Sequence, residues 1–315
     1  MDLNAGMFVA GHRGLVGSAI VRQLRAAGAS NLLLLGRDQL DLGNQIAVDE
    51  FFARERPAYV FLAAAMVGGI QANSRYPADF IQDNLAIQTN VIHSAYQHGT
   101  QKLLFLGSSC IYPRDCPQPI KEEYLLSGPL EPSNEWYAVA KIAGVKTCQA
   151  YRRQYGFDAI SVMPTNLYGP GDNYHPENSH VLPALIRKFH EAKLAERESI
   201  VLWGTGKARR EFLYVDDLAE AVLLLMNQYS SEDIVNIGVG EDITIFELAE
   251  VIARVVGFSG RIDIDTSKSD GTPRKLLDVQ RVAAQGWKAR TSLPDGVQLA
   301  YEDFLRRSAE GHARL

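Results

Sequence analysis

The chain has 315 residues, 46% of them hydrophobic and 22% charged, and carries a net charge of -5. That balance argues against a nucleic-acid binder, which usually presents a basic face, and no apolar run reaches the ~20 residues needed to span a bilayer. Cys110, Cys116 and Cys148 are too few and too irregularly spaced for a disulfide framework or a zinc site, so no metal is expected. The opening Met-Asp-Leu-Asn-Ala-Gly lacks the basic and apolar regions of a signal peptide. The expectation is a cytoplasmic, reducing setting with Cys110 as a free thiol.

In chain order, short apolar runs alternate with helical patterns. Strands are expected at Met7-Ala10, Leu32-Leu35, Tyr59-Ala65, Leu103-Gly107 and Ala159-Pro164, each rich in branched and apolar residues with few charges. Helices are expected between them at Leu15-Ala27, Gln45-Arg56, Asn84-His98 and Trp136-Tyr155. Strands buried on both faces with crossover helices make a doubly wound, Rossmann-type parallel sheet, an α/β fold.

Beyond Pro164 the pattern loosens. Gly169 to Ser179 is dense in turn formers and reads as a long loop. It is followed by a helix at Val181-Ala195, a strand and turn at Ile200-Gly206, strands at Phe212-Val215 and Ile234-Ile237, and helices at Asp216-Gln228 and Ile245-Val256. The organisation predicted is a dinucleotide-binding domain over residues 1–170 with a return segment near 213–240. Residues 171–212 and 241–315 are predicted to form a smaller α/β substrate lobe, with substrate between the two because long loops in compact domains are usually functional.

Gly11-His12-Arg13-Gly14-Leu15-Val16-Gly17 follows the first strand and opens the first helix. Glycine there permits a sharp turn and lets a pyrophosphate approach the helix amides. The second strand runs into Gly36 and Arg37 with no carboxylate where a ribose 2'-hydroxyl would be read. Arg37 and Arg13 offer two guanidinium groups to a 2'-phosphate, which favours NADP(H) over NAD(H); two solvated surface arginines are the alternative.

Tyr137 and Lys141 lie four apart on a helix, and Ser108 ends the fourth strand. An ammonium beside a phenol favours the phenolate and would lower the Tyr137 pKa from about 10. Tyr137 can then protonate a carbonyl oxygen held by Ser108 while hydride reaches the carbon. Cys110 is not needed for that chemistry. It could be a small buried hydrophobe, or a base removing a proton beside the same carbonyl. His180 could be a helix-start residue satisfied by the backbone or an acid acting from the opposite face. Cys116 and Cys148 read as loop and helix packing.

The glycine loop, Ser108, Tyr137 and Lys141 together resemble the extended short-chain dehydrogenase/reductase superfamily, as does Arg209 to Asp217. Four further blocks resemble its GDP-L-fucose synthase family: Gly107-Ser-Ser-Cys-Ile-Tyr-Pro113, Ala64-Ala-Met-Val-Gly-Gly-Ile70, Pro164-Thr-Asn-Leu-Tyr-Gly169 and Asn178-Ser-His-Val-Leu-Pro183. The likeness runs from Val9 to about Pro273. It implies NADPH-dependent 3,5-epimerisation and 4-reduction of a GDP-4-keto-6-deoxy-hexose. Ser108, Tyr137 and Lys141 match the reductase residues, Cys110 the epimerisation base and His180 the acid. Lys188, Trp203, Arg210 and Asp270 match substrate contacts. The implied cofactor contacts are Gly11 to Gly17, Arg37, Asp41, Leu42, Leu106, Gly107, Ser108, Ser109, Lys141, Pro164, Thr165, Asn166, Leu167 and His180. Met66 departs from the pattern, where a Lys stands in some relatives. The resemblance also implies a nucleotide-sugar substrate and a homodimer formed through the helices starting at Asn84 and bearing Tyr137, without nucleic-acid or membrane partners.

Overall fold

The computed structural model describes residues 1–175, 179–268 and 270–310. The first half supplies strands β1 (Met7–Ala10), β2 (Leu32–Leu33), β3 (Tyr59–Leu62), β4 (Lys102–Leu106) and β5 (Asp158–Pro164). Its helices are α1 (Leu15–Ala26), α2 (Gln45–Glu55), α3 (Ile70–Arg75), α4 (Pro77–Gln97) and α5 (Glu135–Tyr155). The second half adds β6 (Asn166–Tyr168), α6 (Val181–Leu194), β7 (Ser199–Trp203), β8 (Arg209–Arg210), β9 (Phe212–Tyr214), α7 (Val215–Gln228) and β10 (Val235–Ile237). After these come β11 (Ile243–Thr244), α8 (Ile245–Val256), β12 (Arg261–Asp265), β13 (Arg274–Lys275), α9 (Gln280–Ala284) and α10 (Leu293–Ala309).

Six parallel strands form the central sheet in the order β2-β1-β3-β4-β5-β10. The chain reverses its direction of travel across the sheet between β1 and β3, the place where doubly wound folds open a ligand crevice. Alternation along β1 sends Met7 and Val9 into the core shared with α1 and α7, and Phe8 and Ala10 into the core shared with α2, α4 and α5. A third core joins α6, α8 and α10 through Phe189, Ile252 and Phe304. The start of α8 is fixed by a capping box: Thr244 Oγ1 accepts from Glu247 N (3.1 Å), and Thr244 N donates to Glu247 Oε2 (2.7 Å). Among the described residues no helix is long and apolar enough to cross a membrane.

Differences from the sequence reading fall at element ends and in the second half. Edge strand β2 stops at Leu33, short of the expected Leu35, and β3 stops at Leu62, short of Ala65. Helix α4 begins at Pro77, seven residues before the expected Asn84, because a first-turn proline needs no amide donor. Helix α10 was not anticipated, although Ser292 Oγ accepts from Asp295 N (3.3 Å) and Pro294 lies in its first turn. The loop from Gly169 is pinned to α10, where Gly171 N donates to Asp303 Oδ2 (2.9 Å) and Tyr174 OH to Ala300 O (3.0 Å). Pro176 to Asn178 of that loop, including the first residue of the Asn178-Pro183 block, lie outside the described residues.

Candidate active site

The crevice beside β1 is built for close backbone approach. Gly11 has φ +85°, and a Cβ there would lie 2.8 Å from Ala64 Cα at the end of β3. A Cβ on Gly17 would overlap the Gly11 carbonyl, so both glycines keep the loop folded onto the first turn of α1. Gly14, the N-cap of α1, supplies no side-chain cap, and the first turn holds no acidic residue. The amides and positive end of that helix are thus directed at an anion. Asn84, buried in α4, clamps the facing segment: Met66 N donates to its Oδ1 (3.0 Å), and its Nδ2 donates to Met66 O (3.0 Å). Arg13 and Arg37 stand exposed beyond β2, 3.3 Å from Asp38 and 3.9 Å from Asp41 respectively. Thr165 and Asn166, on the far wall, are tied to the Glu211 carbonyl at 3.4 and 2.8 Å. These residues fit a dinucleotide whose pyrophosphate rests on the glycine loop.

The end of β4 turns into a short 3₁₀ segment, Ser109–Ile111, in which Ser108 Oγ accepts from Cys110 N (3.3 Å). Ser108 and Cys110 are therefore set by one turn of backbone. Lys141 Nζ donates to Leu106 O (2.8 Å), the last residue of the same strand, and lies 5.7 Å from the Tyr137 ring centre. Burial lowers the Lys141 ammonium to about 8. It also raises the Tyr137 phenol, with the nearby Cys110 adding to the rise and a hydrogen bond to Ser108 opposing it. The expected depression by Lys141 is not among the influences on Tyr137, and removal from water sets the direction. Tyr137 is held protonated at neutral pH, the form that donates a proton.

On the far side of Cys110 lies a cation absent from the sequence reading. Strand β13 runs parallel to β8 with Lys275 opposite Arg210, and Lys275 borders the same small cavity as Cys110. Burial raises the Cys110 thiol, and Lys275 is the largest influence against that rise, ahead of Ser108 and Lys141. His180, the N-cap of α6, keeps an open face to solvent. Protein atoms crowding its ring, and then the Lys275 charge, hold its imidazole below the ordinary value. Arg210 extends the row. Its Nη2 donates to Asp270 O (3.4 Å), and the Asp270 carboxylate accepts from Thr205 N and Oγ1, both at 2.7 Å. Trp203 beyond it is 54% exposed, with Lys188 and Lys268 each 5.7 Å from its ring centre. An open indole flanked by two ammonium groups suits a base that carries phosphate.

Residues 7–238 match the family described as "Epimerase: NAD dependent epimerase/dehydratase family". GDP-L-fucose synthase 1 of Arabidopsis thaliana is 62% identical over 305 residues, which cover 97% of this chain and 94% of that protein. The chain belongs to the NAD dependent epimerase/dehydratase family. Two solved structures superpose over nearly the whole chain. A GDP-6-OMe-4-keto-L-xylo-heptose reductase from C. jejuni has a TM-score of 0.92 at 39% identity, covering 98% of this chain and 99% of that one. A GDP-L-fucose synthetase from Naegleria fowleri bound to NADP has a TM-score of 0.91 at 30% identity, covering 100% and 98%.

Sequence reasoning missed Asn84, Glu211 and Lys275. Each acts from an element distant in sequence, and only Glu211 carried a signal, its place in the Arg209-Arg-Glu-Phe run.

Proposed function

We propose that this chain carries out the NADPH-dependent 3,5-epimerisation and 4-reduction of GDP-4-keto-6-deoxy-D-mannose to GDP-L-fucose. The observation that carries this reading is one row of side chains: Tyr137 and Ser108, then Cys110, then Lys275 and Arg210, then Asp270. A thiol with Ser108 and Tyr137 on one side and Lys275 and Arg210 on the other supports that reading. The 62% and 39% identical proteins named above act, by their names, on GDP-linked sugars.

Ser108 and Tyr137 hold the oxygen at carbon 4, and their hydrogen bonds stabilise the enolate formed when a proton leaves carbon 3 or 5. Cys110, as thiolate, takes that proton; His180, as imidazolium, returns one to the opposite face, inverting the carbon. The Gly11–Gly17 loop would hold NADPH, which when bound would supply the hydride that reduces the ketone. Tyr137 gives the oxygen its proton, with the Lys141 ammonium 5.7 Å from the centre of its ring. Arg13 and Arg37 receive the cofactor's 2'-phosphate, Arg210 the diphosphate, and Trp203 the base. Two copies pair through α4 and α5.

Incubation of the 4-keto sugar in deuterated water without NADPH tests the reading. Deuterium should enter at carbons 3 and 5 with the wild type, and in Cys110→Ser exchange should fall by at least about 10²-fold, the contribution of a general base. NADPH oxidation with no exchange would end the epimerase assignment in favour of a 4-ketoreductase, the activity in the name of the C. jejuni neighbour.

A further inference from the structure

A cation held against a thiol is a costly arrangement unless one of the two groups changes charge. Lys275 is such a group: burial pushes its ammonium down, the Cys110 thiol is the first influence that raises it, and the Arg210 charge again opposes. Among the described residues its ammonium makes no ion pair within 4.0 Å and no side-chain hydrogen bond. A cavity of about 30 Å³ is bounded by Lys275, Cys110, Glu131, Arg114 and Thr272. The one carboxylate there, Glu131, is already engaged. It lies 3.5 Å from Arg114 Nε, and it accepts from Thr272 Oγ1 (3.3 Å) and Ser133 Oγ (3.0 Å). Strand pairing fixes Lys275 against Arg210, a like charge, so the backbone and not a chance rotamer brings it here. The carboxylate of Glu211 holds that segment in place by accepting Leu277 N (3.1 Å).

We propose that Lys275 is the counter-ion of the Cys110 thiolate, a positioning residue that acts through Cys110 and keeps it in the form that removes a proton. The inference rests on the epimerase reading of Cys110. It also addresses a requirement of two inversions in one site. After the first, Cys110 holds the proton taken from carbon and His180 has given one up. Before the second, the thiol must release that proton and the imidazole must gain one. An ammonium beside the sulfur favours the release, and the proton lost by sulfur balances the proton regained by nitrogen, directly or through solvent.

The groups facing this pair come from four elements and a loop. Cys110 is faced by Lys141 and Tyr137 on α5 as well as by Lys275. Lys275 is faced by Arg210 on β8, by Cys116 and Glu131 on the connection before α5, and by His180 at the start of α6. Removing Lys275 leaves the thiol with burial against it and the Ser108 hydrogen bond, Lys141 and a backbone hydrogen bond in its favour.

Thiolate absorbance near 240 nm, read as wild type minus Cys110→Ser across pH, reports the ionisation without catalysis. In Lys275→Met the midpoint should rise by about one unit or more, the size of shift an adjacent opposite charge produces. The alkaline-rising limb of deuterium exchange should move with it, leaving roughly tenfold less exchange at a pH below both midpoints. Lys275→Arg, which keeps the charge, should return both toward wild type. If Lys275→Met does not fold, Lys275→Gln is read in the same way. An unmoved midpoint in a folded, charge-less variant overturns the proposal, as does a shift that Arg fails to reverse. Failure of the epimerase reading shows separately, as absence of exchange in the wild type.

Discussion

On the proposed reading, Arg13 and Arg37 use charge to decide which cofactor the crevice holds. Both side chains are largely exposed, with exposed aspartates nearby, Asp38 3.3 Å from Arg13 and Asp41 3.9 Å from Arg37. Pairs of that kind contribute little to stability, so Asp41 would hold the Arg37 guanidinium back from a phosphate only weakly. Arg37→Asp replaces a donor with a repelling carboxylate. The loss for NADPH should be about 1.5–3 kcal/mol, the worth of a charge-assisted hydrogen bond, or roughly ten- to a hundredfold in Kd. NADH binding should change little. Titration with both cofactors checks this, and equal losses would sink the phosphate assignment. Gly17 is constrained by space instead. A methyl there meets the Gly11 carbonyl, a backbone atom that cannot step aside cheaply. Gly17→Ala should lower stability by about 1–3 kcal/mol as overpacking and weaken both cofactors alike, which a thermal melt and the same titration would show.

At the scale of elements, Glu211 decides how the two halves meet. Its side chain is fully buried and accepts backbone N–H groups from Val239 (2.6 Å), Gly240 (2.7 Å) and Leu277 (3.1 Å). Burial raises its carboxyl, and these hydrogen bonds oppose the rise. Glu211→Gln keeps one accepting oxygen and turns an amide NH₂ toward a backbone donor. Its cost should be about 1–3 kcal/mol for the unsatisfied group, seen as a lower melting temperature. A fall in kcat should accompany it, because Leu277 sits two residues from Lys275. Elements of this kind were the least legible in the sequence. The glycine loop and the Ser108, Tyr137 and Lys141 set could be read because each is a local spacing on a strand, turn or helix with a strong pattern. Strands β8, β11 and β13 are two residues long and carry no periodicity to read. Nothing in the sequence therefore singles out Lys275, which pairs with Arg210 and borders the same cavity as Cys110. The Tyr137 pKa was misjudged for a related reason: spacing reveals a neighbouring charge but not how far protein atoms displace water.

For the whole molecule, the helical layer formed by α4 and α5 has one face committed and another open. Inward, Gln88 Nε2 donates to Ala140 O (2.6 Å), and a Cβ on Gly144 would crowd Phe105 of β4, so the two helices and the sheet are locked together. Outward, Trp136 and Val139, one turn apart on α5, are 44% and 40% exposed. An α5 that carries Tyr137 and Lys141 inward and apolar side chains outward gains rigidity where the chemistry needs it if a second copy covers that face. Pairing through α4 and α5 buries these side chains against their symmetry mates, since a two-fold interface uses the same patch on both copies. Val139→Glu would then place two like charges close to one axis and leave them without partners, at a cost of several kcal/mol. Sedimentation at micromolar concentration should show the wild type at twice the chain mass and Val139→Glu at the mass of one chain. A wild type that sediments as a single chain, or a variant that stays paired, would remove α5 from the interface.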